Sequence, residues 1–142
     1  MQTEPKQTDI LTLAFLGDAV YELAVRKRIV FSQAALRADA LHKKAVAYVN
    51  ASSQAAVIKQ MMEEGFLTEE EADLARRARN HKIATKPKNA DPVSYKWATA
   101  FEALLGYLKL SEEEERLAQV MDRAFEITEG RMRHNAAEET DA

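Results

Sequence analysis

Asp18 and Glu102 are carboxylates placed where a carboxylate is costly. Asp18 and Glu22 are the only charges between Asp9 and Arg26, and Glu102 is the only one between Lys96 and Lys109. The first segment reads Ile10-Leu11-Thr12-Leu13-Ala14-Phe15-Leu16-Gly17-Asp18-Ala19-Val20-Tyr21-Glu22-Leu23-Ala24-Val25, the second Trp97-Ala98-Thr99-Ala100-Phe101-Glu102-Ala103-Leu104-Leu105-Gly106-Tyr107-Leu108. A helix apolar nearly all round is expected to be buried. A carboxylate inside it must be protonated, paired with a base, or bound to a metal ion. Two such acids on two central helices form a candidate metal site, in which two carboxylates and water suit a magnesium ion that keeps several waters of its own. Glu22, one turn beyond Asp18, is a possible outer-shell acid or simply the partner of a nearby base. Gly17-Asp18 also reads as a packing site, because glycine inside a helix commonly marks close helix–helix approach.

The elements that carry these residues are helical. Four glycines and three prolines interrupt 142 residues, and Ala, Leu, Glu, Lys and Arg dominate, a composition that favours helix throughout. Asp9 is placed to cap a first helix to about residue 30, and Ser32 to open a short turn or helix. Helices near 38–49 and 52–64 follow, the latter closed by Gly65. Thr68 with Glu71 is a capping box for a helix towards Asn80. His81 to Ala90 reads as a loop. Asp91-Pro92 opens a helix to about Leu110, with proline where its missing N–H costs nothing. Ser111 with Glu114 reads as a second capping box, for a helix ending near Arg131. The expected division is a single catalytic unit, 1–131, followed by a disordered polar tail, 132–142.

Bulk composition excludes several classes. The chain is 46% hydrophobic and 30% charged, an ordinary soluble balance. With no cysteine, disulfides, thiolate catalysis and thiolate-bound zinc are ruled out. Neither His42 nor His81 has zinc-like partner spacing. The polar start lacks a signal-peptide core and the apolar stretches are too short to span a bilayer, so a cytoplasmic protein is expected.

The net charge of −3 conceals an asymmetry: Leu74 to Ala90 carries six Lys/Arg and no acid, which leaves −9 for the remainder. Arg76, Arg77, Arg79, Lys82, Lys86 and Lys88 are therefore candidate contacts to RNA phosphates. A solvated helix C-terminus explains two or three of these charges. Arg26-Lys27-Arg28 and His42-Lys43-Lys44 read as ordinary surface.

Leu13-Ala14-Phe15-Leu16-Gly17-Asp18-Ala19-Val20 resembles the signature helix of the ribonuclease III family, L-E-F-L-G-D-A/S-V. Ala98-Thr99-Ala100-Phe101-Glu102-Ala103-Leu104-Leu105-Gly106 resembles its second motif, D-x-F-E-A-L-I-G-A. The likeness covers most of residues 8–131. It is closest to the short Mini-III form, without a double-stranded-RNA-binding domain. It implies an all-α ribonuclease III-like helical bundle, a homodimer with the first helix in its interface, and magnesium-dependent cleavage of double-stranded RNA. Processing of precursor 23S ribosomal RNA is implied too, with ribosomal proteins as possible partners. Asp18 and Glu102 fall on the family's catalytic, metal-binding acids. Ala14 and Thr99 stand where the family usually has acids, and Leu11 also replaces a glutamate. Two alternatives stay open: a non-catalytic RNA-binding or ribosome-associated module, and an all-helical nucleotide pyrophosphohydrolase using Glu69-Glu70-Glu71-Asp73 or Glu112 to Glu115.

Overall fold

A computed structural model describes residues 4–33, 37–82 and 91–141. Among these described residues a 3-10 turn at Pro5–Gln7 is followed by six helices: α1 (Ile10–Gln33), α2 (Ala38–Val49), α3 (Ala51–Glu63), α4 (Glu69–Asn80), α5 (Pro92–Leu110) and α6 (Glu114–Asp141). The described residues contain no strand, so the expected all-α bundle is what forms. None of the helices among them is long and apolar enough to cross a membrane.

The caps explain most of the boundaries. The Asp9 carboxylate accepts from the backbone N–H of Leu11 at 3.1 Å and of Thr12 at 3.3 Å. Thr68 and Glu71 form the reciprocal capping box, and Asp91 accepts from the Ser94 N–H at 3.2 Å. Gly65, with φ 69°, ends α3 by sending its N–H to Met62 while that of Phe66 reaches Met61. This is the paired-bond termination that a left-handed residue permits.

Three boundaries differ from expectation. Ser32 lies within α1 rather than opening a new element. Ser111 does not box the start of α6. It ends α5 instead: Glu112 at φ 58° bonds back to Lys109 and Glu113 to Leu108, the same termination as at Gly65 but with a side chain in the left-handed position. And α6 runs on to Asp141 where an unstructured tail from 132 was expected. Ala136, Ala137, Glu138 and Glu139 are helix formers, and His134 pairs with Glu138 at 3.0 Å across one turn.

Helix α5 is the axis of the bundle. Its residues Ala98 to Leu108 are buried except Glu102 and Tyr107, and α1, α3 and α4 pack around it. Tyr21 of α1 meets Phe101 edge-on at 4.9 Å and stacks on Phe125 of α6 at 6.0 Å. Helix α1 is not buried all round. Leu11, Phe15, Leu23 and Val30 share its outer side and are exposed, Phe15 to 81% and Leu23 to 70%.

Helix α6 is fastened by three arginine–carboxylate forks. Arg116 grips Glu71 at 2.8 and 2.9 Å, Arg123 grips Glu64 at 2.6 and 2.7 Å, and Arg28 of α1 grips Glu129 at 2.6 and 2.7 Å. Tyr48 of α2 also donates to Glu129, at 2.7 Å. Arg116 donates in addition to the Phe66 carbonyl at 2.8 Å, so one side chain ties α6 to the α3–α4 turn.

Candidate active site and nucleic-acid interface

The carboxylates are positioned by two glycines. A Cβ on Gly17 would lie 1.7 Å from the Glu102 carbonyl oxygen, and one on Gly106 would lie 1.9 Å from that of Leu13. The backbones of α1 and α5 are therefore in direct contact. Each glycine costs about 1 kcal/mol of helix propensity, offset here by an approach no other residue allows. Packing and function were alternative readings of Gly17-Asp18; the structure joins them, because the glycine contact is what carries the side chains of Asp18 and Glu102 to one seam.

Glu102 is half-buried and its carboxyl hydrogen-bonds to that of Asp18. Burial, and then the hydrogen bond and charge of Asp18, push the Glu102 pKa up to about 8. A pKa in that range favours the protonated form of Glu102 at neutral pH. Asp18 itself is exposed rather than buried. It borders the outward side of α1, so apolar neighbours in sequence did not translate into burial.

Of the fates open to such an acid, protonation is the one that burial and the neighbouring Asp18 favour for Glu102. A divalent cation fits the same place, since it would relieve the like-charge conflict that protonation otherwise relieves. The donor set contains only oxygen, which favours a hard ion retaining waters. Among the described residues no group of three or more His, Asp or Glu could hold a metal, so the protein offers two carboxylates. Glu22 pairs with Arg26 at 3.0 to 3.1 Å, the ordinary i,i+4 arrangement.

Ala14 and Thr99 are both buried, and the Thr99 hydroxyl donates to the Tyr95 carbonyl at 2.9 Å. Leu11 is 44% exposed on the outer side of α1. The reduced acid set is thus matched by an apolar, satisfied environment.

The basic segment divides. Arg76 is paired with Asp73 at 2.5 Å. Arg79 lies over the Trp97 ring at 4.9 Å and donates to Asn80 at 3.1 Å. Arg77 and Lys82 are exposed at the end of α4. Lys86 and Lys88 lie outside the described residues. The sequence reading missed Trp97 and also Lys59, which approaches the same ring at 5.7 Å. No linear spacing connects a lysine on α3, an arginine on α4 and a tryptophan on α5, so only the fold reveals them.

The Ribonuclease III domain signature matches residues 11–113. Mini-ribonuclease 3 of Brevibacillus brevis is 46% identical over 127 residues, covering 89% of this chain and 92% of the relative. Mini-ribonuclease 3 of Symbiobacterium thermophilum is 46% identical over 119 residues, covering 84% and 89%. A crystal structure of a protein from Fusobacterium nucleatum superposes with a TM-score of 0.73 at 34% identity, covering 84% of this chain and 93% of that one. With signature, length and fold in agreement, the chain belongs to the ribonuclease III family, in its Mini-ribonuclease 3 branch.

Proposed function

We propose that this chain is a magnesium-dependent endoribonuclease that cuts double-stranded RNA, with Asp18 and Glu102 as its catalytic, metal-holding pair. The observation that carries the reading is the glycine seam, which brings two carboxyl groups together where burial and the neighbouring acid push the Glu102 pKa up, a conflict that a cation would relieve. A magnesium ion held there supplies Lewis acidity and positive charge beside a scissile phosphate. Glu102 gives up its proton when the pair takes up a cation. Asp18, being exposed, can be reached by a polymer that no enclosed pocket would admit. Arg77 and Lys82, joined by Lys86 and Lys88, hold the backbone through phosphate contacts that carry affinity and register but little base information. Arg76 and Arg79 support that end of α4 through Asp73 and Trp97.

The exposed row Leu11, Phe15, Leu23 and Val30 supports a homodimer built on α1, each protomer supplying one acid pair so that two strands are cut. Precursor 23S ribosomal RNA in the cytoplasm, carrying ribosomal proteins, is the substrate this reading favours. Incubating the protein with a labelled RNA duplex and magnesium, and separately with a nucleoside triphosphate, tests the proposal. Endonucleolytic duplex cleavage that chelation abolishes is expected. Duplex binding without cleavage would replace the proposal with a non-catalytic RNA-binding module, and triphosphate hydrolysis alone would replace it with a pyrophosphohydrolase.

A further inference from the structure

Lys59 stands outside every basic run of the sequence, yet it shares an aromatic platform with the basic end of α4. Its ammonium lies 5.7 Å from the Trp97 ring centroid, and the Arg79 guanidinium lies 4.9 Å from the same centroid. Such contacts restrict where the cation can sit. Arg26, Arg28, Arg116 and Arg123 are each neutralised by a carboxylate. Lys59 forms no ion pair with any described residue, although Glu63 follows one turn later and Asp91 lies close enough to feel its field. An indole orients a charge without cancelling it, so the ammonium keeps its attraction for an anion.

Lys59 also lines a cleft of about 420 Å3 between α3, the start of α5 and α6, together with Ser52, Gln60, Glu63, Ser94 and Arg131. Two cations and three neutral polar side chains face one acid there, a lining suited to an anion with several oxygens. Trp97 and Glu102 are five residues apart on α5, about 7.5 Å of helix rise. Those five residues also turn the helix by about 140°, so the platform lies on the α3–α4 side of α5 and the acid pair on the α1 side.

We propose that Lys59, with Arg131 across the cleft, is a second contact to the phosphate backbone of the RNA duplex, extending the grip from the end of α4 across Trp97 to α3 and α6. The proposal rests on the reading of the chain as a duplex-RNA nuclease. Trp97 acts as a positioning residue that fixes the two cations. No base is read, since both groups are cations aimed at phosphate oxygens.

The test uses the full chain and a labelled RNA duplex, with binding measured in chelator across a salt series and cleavage measured in magnesium. Lys59→Gln and Arg131→Gln should each lower the magnitude of the log–log salt slope by about 0.9, the duplex-DNA value per phosphate contact, and weaken binding about fivefold near physiological salt. Lys59→Arg should restore both. Lys109→Gln, at the opposite end of α5, should leave slope and affinity unchanged. If wild type binds and cuts the duplex while Lys59→Gln retains its slope, the second contact is refuted and the nuclease reading stands. A loss of affinity with unchanged slope would assign Lys59 a structural role and likewise refute it. If wild type neither binds nor cuts duplex RNA, the nuclease reading fails and this contact with it.

Discussion

Along the α1–α5 seam two backbones touch through Gly17 and Gly106, whereas α6 packs through side chains such as Val120 and Phe125 and is tied at its edges by arginine forks onto Glu71, Glu64 and Glu129. A seam made of backbone has no rotamers with which to absorb a change. A fork has two long side chains, and each can yield by a few tenths of an ångström. The candidate acids lie on the rigid seam and none lies on the forked helix. The difference teaches that this fold reserves its least forgiving contact for the place where two carboxyl groups must meet.

Gly106→Ala and Gly17→Ala should break the rigid side of that comparison outright. Either Cβ would fall within 2 Å of a carbonyl oxygen on the opposing helix, so the helices must separate. A loss of at least about 3 kcal/mol is expected, at the upper end of overpacking costs, together with loss of cleavage. Denaturant unfolding checks this; a change below about 1 kcal/mol for Gly106→Ala would show the seam to be soft.

Asp18→Asn and Glu102→Gln should leave the seam intact while removing its chemistry. Each should lower cleavage by about a hundredfold or more, the loss of one ion's charge stabilisation. The double variant should be little worse than either single one, because both residues serve one site. Near-normal cleavage by folded Asp18→Asn protein would remove the acid pair from the mechanism.

On the forked side, Glu71→Gln should cost about 2–3 kcal/mol, because Glu71 is buried, completes a capping box and receives both Arg116 bonds. Glu64→Gln should cost much less, since the Arg123 fork lies at the surface. Equal losses in thermal unfolding would show that burial does not rank the forks.

Titration separates the two regions by sign. The Glu102 pKa is raised from 4.5 to about 8, so its contribution is complete below pH 4.5 and is lost as pH climbs towards 8. Glu71 and Glu129 are held below 4.5, Glu129 chiefly by its Arg28 hydrogen bond and Glu71 by its bonds to Arg116 and Thr68 against the opposing effect of burial. Their contribution is complete above pH 4.5 and is lost as acid protonates them. Metal-free protein should therefore be most stable near pH 5. Glu102→Gln should abolish the alkaline decline and leave the acid one, as pH-dependent denaturant melts would show.

The smallest effect concerns the two matched terminations. Gly65 and Glu112 both take the left-handed conformation, at φ 69° and 58°, but only Glu112 bears the side-chain penalty of about 1 kcal/mol. Glu112→Gly should stabilise the protein by up to that amount. A destabilised variant would mean that the Glu112 side chain makes a contribution the geometry does not show.

The sequence exposed those parts of the fold that are decided within a few residues. Asp9, Thr68 with Glu71, Gly65 and Asp91-Pro92 mark helix ends because capping is local, and all four act as read. Ser111 with Glu114 carries the same local signature, yet the termination through Glu112 won, since closing α5 satisfies its last carbonyls at that point. Apolar content on α1 and α5 looked alike, but only α5 is covered on all sides; what covers a face is not written in the face. At the candidate site, the type and order of Asp18 and Glu102 were legible, as was the close approach at Gly17. The raised pKa of Glu102, the engagement of Arg79 by Trp97 and the loss of Arg76 to Asp73 all depend on partners that only folding brings near.

The glycine seam also sets a clock for the growing chain. Gly17 and Gly106 are 89 positions apart, and at roughly 5–20 residues per second of synthesis α1 waits about 4–18 s before its partner exists. Throughout that interval the side chains later sealed against α5, among them Leu13 and Tyr21, lie open to solvent and to other nascent chains. Refolding should likewise be limited by this distant pairing and not by helix formation, so slowed elongation or a weakened α5 should appear first as aggregation of the N-terminal half.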